Sequence, residues 1–169
     1  MEEFIKLLHE AETIEQDGHR YYIDSMEKTK NGFAKELFKS LAGEEMVHYN
    51  RIRQIAEMLT EGKKITEDDI RLSGKGGQVF DSLISDFKSD QPAGSEIEAL
   101  AFAKKLEQKS IAHYKNAMKS ATDATVRKFL SQLVIEEEGH FRSISESIEY
   151  IEDPQAWFSR QERSHFDGA

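Results

Sequence analysis

The sequence predicts an all-α protein: a four-helix bundle with one long crossover in its middle and a short helix after it. Three observations carry that prediction. The 169 residues contain only two prolines, at 92 and 154, which leaves two long stretches free of helix breakers. Each stretch carries apolar residues at spacings of three and four, the mark of one helix face. Each is also divided once by a turn signal, so two helical hairpins flank a segment far longer than a turn requires.

The first helix runs from Phe4 to roughly Lys30 and is closed by Asn31-Gly32, a pair that stops helices. A second follows from Phe33 to Thr60 and ends near Gly62. Ser95 is placed to cap a third helix, with Glu98 completing a capping box, and that helix reaches about Ser120. Asp123 caps a fourth, which continues to Ile151 and stops before Asp153-Pro154. The expected organisation is a single domain over residues 1–169, with hairpins at 4–60 and 96–151, a crossover at 61–95 and a terminal segment at 154–166.

Helices of this length are about 40 Å long at 1.5 Å per residue, the scale of an antiparallel bundle. A single long connection between the second and third returns the chain to its starting end, which is the ferritin-like topology and not simple up-down-up-down. The crossover includes Ser73-Gly74-Lys75-Gly76-Gly77, which no GK[ST] follows and no strand pattern precedes, so it reads as connection and not as a phosphate loop. It also holds an amphipathic piece, Val79, Phe80, Leu83, Ile84 and Phe87. In the terminal segment, Trp157 and Phe158 either pack on the bundle or form a subunit contact.

Composition narrows the function. With 23 Lys+Arg against 32 Asp+Glu, the formal charge is −9, and no basic stripe offers a grip on nucleic acid. There is no cysteine, hence no thiolate zinc site, iron–sulfur cluster or cysteine nucleophile. The longest apolar run, Ala99 to Ala103, is far short of a membrane span. The acidic start, Met1-Glu2-Glu3-Phe4, is unlike a secretory signal, and a cytoplasmic location is expected.

The informative residues interrupt the apolar seams. The second helix presents Phe38, Leu41, Glu45, His48, Ile52, Ile55 and Leu59; the fourth presents Val126, Leu130, Leu133, Glu137, His140, Ile144, Ile148 and Ile151. The first presents Phe4, Leu8, Ala11, Glu15, Gly18 and Tyr22, and the third Leu100, Ala103, Glu107, Ser110, Tyr114 and Ala117. Four carboxylates and two imidazoles therefore enter one core near mid-length. An unpaired buried carboxylate costs several kcal/mol, so it takes up a proton or finds a cation.

These positions repeat. Glu15 lies 30 residues before Glu45, and Glu107 lies 30 before Glu137. A constant offset of 92 relates Glu15 to Glu107, Tyr22 to Tyr114, Glu45 to Glu137 and His48 to His140. A doubled hairpin with a pseudo-two-fold axis is the simplest description. Glu162 and His165 share the Glu-x-x-His spacing, but Gln132 stands thirty residues before Glu162, and the pair reads as solvated surface. Glu44, Glu136 and Glu138 fall off the seams and are expected in solvent, as are His9, His19 and His113.

The arrangement resembles the rubrerythrin-like branch of the ferritin-like di-iron carboxylate proteins over about residues 4 to 151. Glu15-Gln16-Asp17-Gly18-His19-Arg20-Tyr21-Tyr22 is similar to that branch's first ligand helix, and Glu44-Glu45-Met46-Val47-His48 and Glu136-Glu137-Glu138-Gly139-His140 to its two Glu-x-x-His helices. The resemblance implies that Glu15 and Glu107 are terminal ligands, that Glu45 and Glu137 bridge two iron ions, and that His48 and His140 each bind one. Four carboxylates balance two divalent cations, and carboxylate with imidazole suits iron or manganese, with manganese or zinc as substitutes for iron. Tyr22 and Tyr114 are expected to hydrogen-bond ligand carboxylates; the alternative is a core aromatic bonded to backbone.

The chain departs from the branch in two places. Rubrerythrins proper have a further glutamate three residues after the third-helix ligand, where this chain has Ser110, matched by Gly18 in the first helix. They also carry a cysteine-rich electron-donor domain, for which this chain has no cysteines. The small residues either leave room at the metals for oxygen, peroxide or water, or let the helices approach. The leading functional expectation is a non-haem di-iron oxidoreductase that reduces peroxide or dioxygen, protects against oxidative stress, draws electrons from a separate donor protein and forms a homodimer. The alternatives are a module that binds, oxidises and stores ferrous iron, and a structural metal-binding bundle.

Overall fold

The structure, a computed structural model, describes residues 2–72, 80, 83 and 94–166, the last six as backbone only. The described helices include α1 (Glu2–Lys28), α2 (Gly32–Thr60), α3 (Gly94–Ser120), α4 (Ala124–Glu152) and α5 (Pro154–Phe166), with no strand among the described residues. α1 packs on α2 and α3 on α4, α1 lies against α3 and α2 against α4, and α5 rests on α4. The fold is the all-α, ferritin-like bundle that the seams predict.

Its direction of travel follows from one polar contact. The Thr29 hydroxyl, just past the end of α1, donates to Glu96 in the first turn of α3 at 2.8 Å. α3 therefore begins where α1 ends, whereas α2 ends beside the start of α1. The connection must run the length of the bundle. Its described parts agree: Ile65 and Ile70 are buried with Phe4, Leu8, Ile52 and Ile55 at one end, and Phe80 is buried with Phe33, Tyr150 and Trp157 at the other. The Ser73–Gly77 cluster, Val79, Ile84 and Phe87 lie outside the described residues.

Two of the turn readings are corrected. Asn31 does not close α1, which ends at Lys28; it caps α2, its side chain accepting from the Ala34 N–H at 2.9 Å. Asn serves either role because its short amide competes for nearby backbone groups. Ser95 lies inside α3, after Gly94, and its hydroxyl donates to Glu96; Glu98 is exposed, and Glu96 instead receives the Thr29 hydroxyl and the Lys30 N–H. Asp123 caps α4 as expected, accepting from Thr125 and Val126 N–H. Gly62 follows α2 at φ 67°, the left-handed conformation that glycine adopts without steric cost.

The apolar core is divided in two. One cluster joins Leu8, Ala11, Ile52, Ile55, Tyr114, Ala117, Leu130 and Leu133; the other joins Tyr22, Phe38, Leu41, Leu100, Ala103 and Ile144. Between them lies the polar layer that interrupts every seam. In α5, Trp157 packs against Phe80 and Tyr150, while Phe158 is 42% exposed. The terminal helix thus buries Trp157 on the bundle and sets Phe158 edge-on against Tyr150 and Trp157 at the margin.

Candidate metal centre

All six seam residues meet in that layer. Glu15, Glu45, His48 and Glu137 form one group whose ligand-capable atoms lie within 4.8 Å of one another, and Glu45, Glu107, Glu137 and His140 form a second. Glu45 and Glu137 belong to both. All six residues are 2% exposed or less. The side chains of Glu162 and His165 lie outside the described residues.

The two imidazoles stack with centroids 5.6 Å apart, each presenting Nδ1 to the layer. His48 Nδ1 is 3.0 Å from Glu137 and 3.3 Å from Glu15; His140 Nδ1 is 3.3 Å from Glu45, 3.4 Å from Glu137 and 3.7 Å from Glu107. The outer nitrogens are engaged crosswise. His48 Nε2–H donates to Glu136 at 2.8 Å and His140 Nε2–H donates to Glu44 at 3.0 Å. Those bonds keep a proton on each Nε2 and leave Nδ1 as the nitrogen that faces the layer.

Glu44 and Glu136 were expected in solvent, and the structure corrects both. Glu44 is buried and Glu136 only partly exposed, because each leans across to the histidine of the other hairpin. A signal for them was present, since they too are 92 residues apart. Glu138 does face solvent, paired with Lys115. His9 is exposed, but His19 and His113 are partly buried and tie helices together through the carbonyls of Ala42 and Leu7. Neither joins the layer.

The tyrosines also cross the bundle. Tyr22 on α1 donates to Glu107 on α3, and Tyr114 on α3 donates to Glu15 on α1. Each fixes one carboxylate oxygen and leaves the other directed into the layer.

The electrostatics expose what the layer lacks. Burial first, then the charges of Glu45 and Glu137, push Glu15 well above the ordinary carboxylate range. Burial with Glu137 and Glu107 pushes Glu45 up to about 7, and burial with Glu137 pushes Glu107 up to about 8. Burial would raise Glu137 too, but His140 and His48 hold it well below the usual range. Burial likewise disfavours both imidazoliums, yet the surrounding carboxylates raise His48 and His140 well above the ordinary value. Protons are doing what cations would otherwise do.

The donor set fits a pair of divalent cations. Glu15 Oε2, Glu45 Oε1, His48 Nδ1, both Glu137 oxygens and His140 Nδ1 are buried with no hydrogen-bond partner; the only other such atom among the described residues is Gln132 Oε1. Six ligand-capable atoms without a hydrogen-bond partner in one buried layer are costly unless a cation takes them. Four carboxylates carry the charge that two divalent ions neutralise.

Gly18 and Ser110 have distinct parts. A Cβ on Gly18 would lie 2.7 Å from Glu45 Oε2, so the missing side chain is the space that carboxylate occupies. Ser110 is buried, its hydroxyl bonded back to the Leu106 carbonyl. Between them a cavity of about 70 Å³ reaches Glu45, Glu107 and Tyr22, enough for more than one water-sized molecule. The space beside the small residues is thus partly taken by the Glu45 carboxylate and partly left open as this cavity.

No curated protein and no solved structure matched the chain. A family model, Rubrerythrin, matches residues 6–148, a span that takes in both hairpins and every member of the polar layer. The doubled Glu-x-x-His hairpins, their crosswise wiring and that match have one explanation: the chain belongs to the rubrerythrin family.

Proposed function

We propose that this protein is a non-haem di-iron oxidoreductase that reduces peroxide or dioxygen with electrons from a separate donor protein. The observation that carries the reading is the sharing of Glu45 and Glu137 by two overlapping donor groups. Glu15 and His48 would hold one iron and Glu107 and His140 the other, with the two shared glutamates available to both. When bound, the iron pair supplies the electrons that break an O–O bond.

The chain's own residues set the conditions. Tyr22 and Tyr114 hold Glu107 and Glu15 in orientation, and Glu136 and Glu44 keep the imidazoles in the binding tautomer. The two apolar clusters close the layer from above and below. The cavity beside Gly18 and Ser110 has room for a molecule the size of peroxide or dioxygen beside Glu45 and Glu107. No described helix is long and apolar enough to cross a membrane.

The test is peroxide consumption by iron-loaded protein with an external reductant, alongside metal analysis. Catalytic turnover with two irons per chain supports the reading. Iron accumulating well beyond two per chain favours storage, and a bound metal with no turnover favours a structural site.

A further inference from the structure

The two hairpins differ in the residue beside the tyrosine that bonds a layer carboxylate. Tyr22, bonded to Glu107, has Tyr21 beside it, the ring centroids 5.7 Å apart and the planes edge-on at 69°. Tyr21 is partly exposed; its hydroxyl donates to the Ala99 carbonyl at 2.7 Å, and its ring lies 4.9 Å from Phe102, which is 49% exposed. Ninety-two residues on, Tyr114 has His113 as its neighbour, with its Nε2 against the Leu7 carbonyl. Only the first hairpin sets two phenols in series between a layer carboxylate and the surface. The cavity that reaches Glu45 and Glu107 is also lined by Tyr22.

We propose that Tyr22 and Tyr21 form a two-step relay that passes single electrons from the protein surface to the metal layer. The proposal rests on the di-iron reading above and adds an electron path to it. In the first step Tyr22 gives up one electron to the layer and its phenolic proton passes along the existing hydrogen bond to Glu107. In the second, Tyr21 supplies an electron to the Tyr22 radical, Glu107 returns the proton to Tyr22, and the Tyr21 proton leaves to solvent. The Tyr21 radical is then quenched by a donor of one electron and one proton, of which ascorbate is the probe. Reduction of one hydrogen peroxide to two waters consumes two electrons, hence two passes, and two protons, which solvent supplies in place of the two that Tyr21 releases to it. The paired phenols would clear an oxidising equivalent left in the layer when the donor protein is absent.

The test mixes iron-loaded protein with hydrogen peroxide and a nitroso spin trap, and reads radical adducts by peptide mass spectrometry together with electron paramagnetic resonance. The expected result is a tyrosyl signal and an adduct on Tyr21 well above that on Tyr49, a partly exposed tyrosine on α2. Tyr22→Phe, compared with wild type at equal iron loading set by metal analysis, should reduce the Tyr21 adduct to the Tyr49 level. Tyr21→Phe should leave the signal on Tyr22, longer lived and slow to respond to ascorbate. A Tyr21 adduct indifferent to Tyr22→Phe, or a dominant adduct on Tyr114, overturns the relay. Two irons and peroxide loss with no tyrosine adduct overturn the relay alone, whereas failure to bind two irons overturns the di-iron reading and the relay with it.

Discussion

The two hairpins, α1–α2 and α3–α4, place the same chemistry at matched positions and surround it differently. Glu15 matches Glu107, Glu44 matches Glu136, Glu45 matches Glu137 and His48 matches His140; even the helix caps Asn31 and Asp123 are related by the same offset. Yet Glu137 touches both imidazoles and stays ionised, while Glu45 contacts only His140 and is pushed up to about 7. A pseudo-two-fold site need repeat only the donors that face its two halves. The surroundings of those donors then decide which carboxylate keeps its charge when cations are withheld.

The sharpest way to break this comparison is to remove each bridging charge in metal-free protein. Glu137→Gln withdraws the partner of two buried imidazoles and should cost about 3–5 kcal/mol in urea unfolding at pH 7. Glu45→Gln removes a carboxylate crowded by Glu137 and Glu107 and should be near neutral or stabilising. Equal losses would show that the halves are electrostatically equivalent.

Metal loading comes next in size. A ligand that binds only the folded chain adds about 2.7 kcal/mol at one hundred times Kd, so chelation should lower the melting temperature. pH sharpens this. Glu45 and Glu107 retain protons above the ordinary carboxylate value of 4.5, and the stability this gives the metal-free fold is complete below that value and lost as pH rises through about 7 to about 8. His48 and His140, also raised, lose their contribution in the same direction. Glu137, held low, stays ionised throughout that window. Metal-free protein should therefore melt lower at pH 8 than at pH 6, while proton competition for the ligands eases and the loaded protein gains. Calorimetry at both pH values should show the loaded-minus-free gap widening; a gap that narrows contradicts the account.

The small-residue pair is expected to separate by less. Gly18→Ala forces Glu45 to move and should cost about 1–3 kcal/mol and weaken metal binding, read by competition with a chelator. Ser110→Ala deletes only a hydroxyl bonded to its own helix and should leave affinity unchanged. Smallest of all, Asn31→Ala and Asp123→Ala should each cost about 1 kcal/mol, since each side chain caps the N-terminus of its helix.

The bundle, its crossover and the convergence of Glu15, Glu45, His48, Glu107, Glu137 and His140 were legible because one helical period carried apolar and polar seam residues alike. The helix starts were less so. Asn31 and Ser95 have side chains that bond backbone on either side, and the choice depends on a neighbouring helix: Thr29 reaches Glu96 across the bundle. Glu44 and Glu136 were misplaced for a related reason. Their seats lie off the seam of their own helix, and only the packing of α2 on α4 turns them toward the opposite histidine. Periodicity ranks faces of one helix, whereas these contacts belong to a pair. The repeat offset held the clue, because a surface glutamate has no reason to recur at the ligand spacing.

The most direct measurement is the number of ferrous ions bound per chain, titrated anaerobically in wild type and in His140→Ala. Shared bridging by Glu45 and Glu137 predicts two ions in the wild type, and in His140→Ala a tight first ion with a second that is weakened or lost. A single ion in the wild type, or two tight ions undisturbed by His140→Ala, would contradict it.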